Sequence, residues 1–397
     1  MGSRALSQPQ KGSPRLGSYL KQLRSGYGYS LRRVEEKARD EGGEIDNSQL
    51  SRYEKGVCYP SFDKLRVLAG VFNVSIQSFS DVVDLEAFED LKPESGAPDD
   101  LIRDGLSALG SGDSGLAFGL FERAVELLED EAGSHENIER IAQARINLAA
   151  ALARLGKITL AETELRRVLK AAPTLDPILQ ARALLALSNV HAEQEDVFLA
   201  EIEAERAYSL AQNRNDDVLA ARAVHNLGFI LAQNRNWLGA IARYREALDR
   251  YDQLGVTLEP LRIRINIGTC YVALGKHREG IRILRDALQE CENEGNIRLR
   301  ARAWTNLGEA YHNIGNVTRA RHCFRESEAI CNTPDRQYSD LLFVNAWYEW
   351  QMAQADANPT RTRIAFGRLK SLRSTIEKKF PEVVEFDSFI ERGKSDA

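Results

Sequence analysis

Leu16, Tyr19, Leu20 and Leu23 fall at i, i+3, i+4 and i+7, which places them on one apolar stripe of a helix. Leu31, Val34 and Ala38 repeat the pattern after a GYGYS turn, with Ser30 at the N-cap. Beyond Gly42-Gly43, Asn47 or Ser48 can cap a short helix running through Glu54 and stopped by Gly56. Pro60 and Ser61 open a fourth helix with Phe62, Leu65, Leu68 and Phe72 facing inward, and Ser75 opens a fifth. The text DLEAFEDLKPESGAPDD, residues 84–100, then turns acidic and carries Pro93 and Pro98, which reads as a linker. From 101 to 392 the helical period continues, with no convincing period-two strand. The pattern predicts an all-α chain: a flexible N-terminus (1–13), a five-helix head (14–83), the linker, a long helical body and a short tail (393–397).

The body is periodic at a larger scale. Ala149, Ser188, Gly228, Gly268 and Gly308 each follow a leucine or isoleucine, Gly105 takes the same place in the first unit, and the spacings are 44, 39, 40, 40 and 40. Seven residues past each stands a turn position (Gly112, Gly156, Glu195, Arg235, Gly275, Gly315), and twelve past each a small residue (Ala117, Ala161, Ala200, Ala240, Gly280, Ala320). Sixteen past, the residue is usually larger: Phe121, Leu165, Ala204, Tyr244, Leu284, Phe324. Small residues at fixed places let paired helices approach, and larger ones wedge between units. The pattern resembles the tetratricopeptide repeat, most fully in Trp304, Leu307, Gly308, Tyr311, Gly315, Ala320 and Phe324. The resemblance implies an α-solenoid of six to seven helix pairs with a degenerate third unit, a weak seventh from Leu341 and a capping helix at EVVEFDSFIERG. The forty-residue period exceeds the usual 34 and calls for longer helices.

Number each unit so that the small residue is position 8. Position 2 is then Gln143, Arg182, Arg222, Arg262 and Arg302, and position 6 is Asn147, Ala186, Asn226, Asn266 and Asn306. The two positions share a face, one turn apart. In tetratricopeptide arrays positions 2, 5, 6 and 9 tend to line the concave side, which implies a groove for a peptide or partner protein. An amide offers donor and acceptor to a main chain, and a guanidinium can fork onto a carboxylate. The candidate ligand residues are therefore Asn147, Arg182, Arg222, His225, Asn226, Arg262, Asn266, Arg302 and Asn306. Bridging of the arginines to acids of the adjacent helix is the structural alternative.

Charge divides the chain. The first eighty residues hold 13 Lys and Arg against 8 Asp and Glu, and the other 317 hold 40 against 50. A basic head on an acidic body suits contact with a polyanion. The head segment SLRRVEEKARDEGGEIDNSQLSRYEKGVCYPSFDKLRVLAGVFNVS resembles the helix-turn-helix of the phage-repressor/Cro (XRE) class, with NSQLSRYEKG as the recognition helix. The resemblance implies base readout by Asn47, Ser48 and Arg52, with Gln49, Ser51 and Lys55 at marginal bases or phosphates. It departs from the class in its long turn RDEGGEIDN and in Leu31, where a phosphate-contacting glutamine is common.

The remaining features narrow the function by exclusion. No apolar run approaches the eighteen or so residues that cross a bilayer, and MGSRALSQPQKGSPR lacks the apolar stretch of a signal peptide, so the expected compartment is the cytoplasm. Five cysteines without CxxC spacing predict neither a disulfide framework nor a zinc site. A GxGxxG at Gly110, Gly112 and Gly115 follows a helix rather than a strand and reads as an interhelical turn. With no HExxH, GxSxG or Walker motif, an enzyme and a cofactor are not expected. A DNA-reading head on a tetratricopeptide body resembles the peptide-responsive regulators of the Rgg and PlcR type. That resemblance implies a homodimeric transcription regulator with double-stranded DNA and a peptide or protein ligand as partners. A scaffold or adaptor, its groove holding a partner protein, is the alternative.

Overall fold

A computed structural model describes residues 12–130, 135–256, 258–333, 336–376 and 380–395. The chain divides into two compact units, 1–95 and 96–397. Both are helical. The pairing of Asn332–Thr333 with Arg336–Gln337 is the sole strand contact among the described residues.

The first unit holds α1 (Pro14–Gly26), α2 (Leu31–Asp40), α3 (Asn47–Glu54), α4 (Phe62–Phe72) and α5 (Ile76–Asp84). Leu16, Tyr19, Leu20, Leu23, Val34, Ala38, Leu50, Leu68 and Phe72 form its core, and Leu31 and Leu65 are half-buried. Ser30 and Ser75 cap α2 and α5 as the sequence predicts. Four sequence expectations change. Asp46, rather than Asn47 or Ser48, caps α3: its Oδ1 accepts from Gln49 N at 2.7 Å, because a carboxylate satisfies the free amides of a helix start more strongly than an amide or hydroxyl. Phe62 does not face inward but stands 67% exposed at the start of α4. Ser13, placed in the flexible terminus, is buried; it caps α1 and donates from Oγ to Glu86 Oε1 at 2.5 Å. Residues 1–11 of that terminus lie outside the described residues. Finally, the first part of the acidic linker is a 3-10 helix, Leu85–Leu91, held to this unit by buried Leu85, by Glu86 on Ser13 and by Glu89 on Arg15 Nε at 2.5 Å.

The second unit stacks seven helix pairs: α6 (Pro98–Ser111) with α7 (Ser114–Asp130), α8 (His135–Arg154) with α9 (Ile158–Lys170), α10 (Pro177–Glu193) with α11 (Val197–Asn213), α12 (Asp217–Gln233) with α13 (Trp237–Leu254), α14 (Leu258–Ala273) with α15 (His277–Asn293), α16 (Ile297–Asn313) with α17 (Val317–Cys331), and α18 (Ser339–Ala355) with α19 (Pro359–Arg373). A last helix, α20 (Pro381–Ser395), covers the end and runs three residues into the segment read as a tail; residues 396–397 lie outside the described residues. This is a tetratricopeptide-like α-solenoid.

The periodic small residues have a direct cause. A Cβ on Gly105, Gly228 or Gly308 would stand 2.5, 2.6 or 2.5 Å from the ring of Phe121, Tyr244 or Phe324, so the residue sixteen positions on fills the space that the glycine vacates. In the degenerate third unit both positions are small: Ser188 on α10 and Ala204 on α11, each fully buried. The turn position adopts left-handed backbone in all of the first six units, with φ from 57° to 95°. Four of these are glycine, while Glu195 and Arg235 bear the strain of a side chain there. Arg235→Gly is therefore expected to stabilise the body by about 0.5–1 kcal/mol, net of the greater freedom of glycine in the unfolded chain. A rise in the urea midpoint checks this, and a fall would show that the Arg235 side chain contributes contacts of its own. The GxGxxG stretch is such a turn: Gly110 lies in the last turn of α6, and Gly112, its C-cap, has φ 95°.

Candidate functional site

On α3, the core side and the outer side separate cleanly. Leu50 and Tyr53 are buried, whereas Asn47, Ser48, Arg52 and Lys55 are exposed and Gln49 and Ser51 half-buried. Asn47, Ser48, Ser51, Arg52 and Lys55 follow i, i+1, i+4, i+5 and i+8, so one stripe carries them all. Among the described residues Arg52 has no acidic partner within 4 Å. Gln49 is less free: its Oε1 accepts from Lys64 Nζ at 2.9 Å, and the same ammonium donates to Glu44 O at 2.6 Å. The helix is fixed from behind by Arg24, whose Nε and Nη2 fork onto Glu54 at 2.6 and 3.0 Å while Nη1 donates to Tyr29 O at 2.9 Å. Gly17 lets α1 lie against the end of α3, since a Cβ there would be 2.6 Å from the Tyr53 and Glu54 carbonyls. The long turn before α3 is anchored by buried Ile45.

In the body the asparagines and arginines of positions 6 and 2 diverge. Asn147, Asn226 and Asn266 are buried and Asn306 half-buried, and most of them engage the preceding unit. Asn226 Nδ2 donates to Ser188 Oγ at 2.5 Å, and Asn306 Nδ2 to Thr269 Oγ1 at 2.9 Å. Asn266 Nδ2 lies 3.3 Å from His225 Nε2, and its Oδ1 accepts from Arg302 Nη2 at 3.3 Å. Asn147 Oδ1 accepts from Gln143 Nε2 at 3.1 Å, leaving its buried Nδ2 without a partner. The amides thus staple neighbouring units, a use that position alone does not reveal.

The arginines are different. Arg182, Arg222 and Arg262 are exposed and Arg302 half-buried. Arg182 donates to Gln143 Oε1 at 3.1 Å, and among the described residues none of the four has an acid within 4 Å. Elsewhere in the body arginines do find acids: Arg145 with Glu129 and Glu164, Arg264 with Glu290 at 2.5 Å, Arg321 with Asp356 at 2.7 Å, Arg373 with Asp387 at 2.8 Å. His225 sits in the midst of the unpaired set, its ring 5.6 Å from that of Tyr244. Burial, then Arg262, Arg302 and Arg222, push its pKa down to about 3, so it is neutral and accepts at Nε2. Burial and the field of Arg262 likewise lower the Arg302 guanidinium.

Two further arginines belong to this surrounding. Arg298 lies four residues before Arg302 on the same face of α16 and pairs with Asp340 at 2.7 Å. Arg154 ends α8, and burial followed by Arg298 and Arg262 lowers its pKa. Arg298 was legible as an i, i+4 neighbour of Arg302; Arg154 had no signal, because the winding of the array brings it there. Further along α16, Glu309 is held up to about 7 by burial first and by Glu382 second.

Residues 109–176 and 257–333 each match the tetratricopeptide repeat family. No curated protein matches the chain significantly. Among solved structures, a Rap protein complexed with Competence and Sporulation Factor is similar at a TM-score of 0.57 and 14% identity, covering 90% of this chain and 98% of that one. The apo form of RapI is similar at 0.53 and 10%, covering 71% and 99%. Bacillus thuringiensis PlcR, in complex with the peptide PapR7 and DNA, gives 0.39 and 15%, covering 81% and 100%. The likeness to the two Rap structures extends the solenoid fold beyond the two matched segments. No described helix is long and apolar enough to cross a membrane.

Proposed function

We propose that the chain is a sequence-specific DNA-binding regulator whose tetratricopeptide body takes a peptide in its concave groove and changes dimer geometry on doing so. The observation that carries the ligand half is the row of arginines, forty residues apart at matching places on successive first helices, that have no acidic partner within 4 Å among the described residues. Packed helices stand about 8–10 Å apart and an extended chain advances about 3.3 Å per residue, so each rung serves roughly three ligand residues. Four rungs suit a peptide of roughly eight to twelve residues. The Rap protein of similar fold was solved with Competence and Sporulation Factor, which is in keeping with a ligand on such an array. The DNA half rests on the polar stripe of α3 and on the positive charge of the head. Two such helices in a symmetric dimer would read a palindromic site. The ligand acts only if it prefers one of two solenoid curvatures.

One feature favours the adaptor alternative. Phe198 and Leu238, at matching places on α11 and α13, are 71% and 66% exposed, an apolar pair suited to a partner protein or a second copy. The test separates the readings: full-length protein is mixed with genomic fragments in a gel shift, and the material it carries through purification is identified by mass spectrometry. Specific shifts together with a co-purified peptide are expected. Absence of any specific shift at low salt, with a co-purified protein instead, would sink the regulator and leave the adaptor. Arg222→Gln with Arg262→Gln should weaken ligand capture about tenfold or more with the thermal midpoint nearly unchanged. A large loss of stability would mark these arginines as structural.

A further inference from the structure

Arg154 and Arg298 stand on opposite sides of a junction within the body. Arg154 Nη1 donates to Leu109 O at 2.8 Å, near the end of α6. Three residues further on, a Cβ at Gly112 would come within 3.9 Å of the Tyr338 ring, and that ring carries the Arg298 guanidinium 4.8 Å from its centroid. The first turn of the array therefore meets the start of the seventh pair, and the contact gathers arginines from the second and sixth units beside the rungs Arg222, Arg262 and Arg302. Their mutual influence agrees with this: Arg154 feels Arg298 and Arg262, and Arg302 feels Arg262 and Arg298. Asp340 acts on the cluster: it pairs with Arg298 at 2.7 Å, and Arg154 and Arg302 feel it as well, so its single charge is shared among several guanidiniums. Gathering guanidiniums in a partly desolvated space is unfavourable unless an anion joins them, and a planar fork matches a carboxylate better than any neutral group. Hydrogen bonds from the staples occupy Arg302 at Asn266, while Arg262 has no protein hydrogen bond among the described residues.

We propose that Arg154, Arg222, Arg262, Arg298 and Arg302 form one binding site for a multiply anionic ligand, a peptide whose acidic side chains fork onto these guanidiniums. This rests on the groove being the ligand site and adds two residues and a ligand chemistry to it. A peptide without acidic groups is excluded, because it leaves the clustered charges as they are. Charge also supplies the selectivity, since a basic peptide meets the same field with the wrong sign.

The experiment measures thermal midpoints and calorimetric affinities of the full chain with four probes. These are an octapeptide with alternating Glu and Ala, the same peptide with Gln for Glu, the same with Lys for Glu, and tripolyphosphate. The Glu peptide is expected to raise the midpoint, and the Gln and Lys peptides are not. Arg154→Gln and Arg262→Gln should each weaken the Glu peptide roughly tenfold. Without ligand, Arg262→Gln should melt at or above the wild-type temperature, because it relieves repulsion without removing a hydrogen bond, whereas Arg154→Gln also gives up the bond to Leu109 O. Equal binding of Glu and Gln peptides overturns the anionic site but leaves the peptide groove standing. Arginine-dependent binding of tripolyphosphate with no peptide bound supports the anionic site and overturns the peptide reading. Binding of the Glu peptide unchanged by Arg154→Gln removes the junction from the site. Failure of every probe to bind overturns the proposal.

Discussion

Gly308→Ala is expected to destabilise the body by about 1–3 kcal/mol, and adding Phe324→Leu is expected to recover a good part of that loss. The new methyl would lie 2.5 Å from the Phe324 ring, well inside contact distance, and the ring has no room to retreat in a core that includes Leu284, Leu307, Tyr311 and Ala320. The chain already contains the relaxed version of this pair, since Ala149 stands in the second unit where Leu165 lies sixteen residues on. Phe324→Leu alone opens a void and should also destabilise. The two changes together should therefore cost less than their sum. Urea unfolding of wild type, both single variants and the double variant gives the coupling directly. Strict additivity would show that the alternation of small and large is not a contact pair.

Asn47→Ala and Arg52→Ala are each expected to reduce discrimination between operator and non-operator DNA by about 1–3 kcal/mol. Both side chains are exposed on α3 and neither holds the helix in place, so the head should keep its stability. Lys55→Ala should instead weaken all sequences alike and reduce the salt slope by about one. Sites selected from random duplexes, followed by gel shifts at fixed salt, make the comparison. If both variants lose affinity equally on all sequences, the stripe touches phosphates and specificity resides elsewhere. Gln49→Ala is a poorer probe, because Lys64 already holds that amide and two effects would mix.

Periodicity exposed the helices of the body and the volume pairing within each unit, because both recur on a fixed schedule. It also placed the turns, where left-handed backbone is a local demand that glycine meets in four units. What it could not show depended on competition or on winding. Asp46 outbid its neighbours for the start of α3 through charge, and Phe62 stayed outside because the core of the head was already closed by Leu68 and Phe72. The linker lost its first half to contacts with Ser13 and Arg15, seventy residues away. The asparagines of position 6 looked like ligand groups, yet the amides of Asn226, Asn266 and Asn306 are spent between units. Arg154 enters the proposed site only because the array winds far enough for its first turn to meet Tyr338.

The staples also have a direction. Asn226, Asn306, Arg182 and Arg302 all donate from a later unit to an oxygen in the unit before it. During synthesis the N-terminal units leave the ribosome first, so each arriving unit finds its acceptors already in place. For these four contacts assembly can proceed as a one-way zipper, each acceptor being in place before its donor arrives.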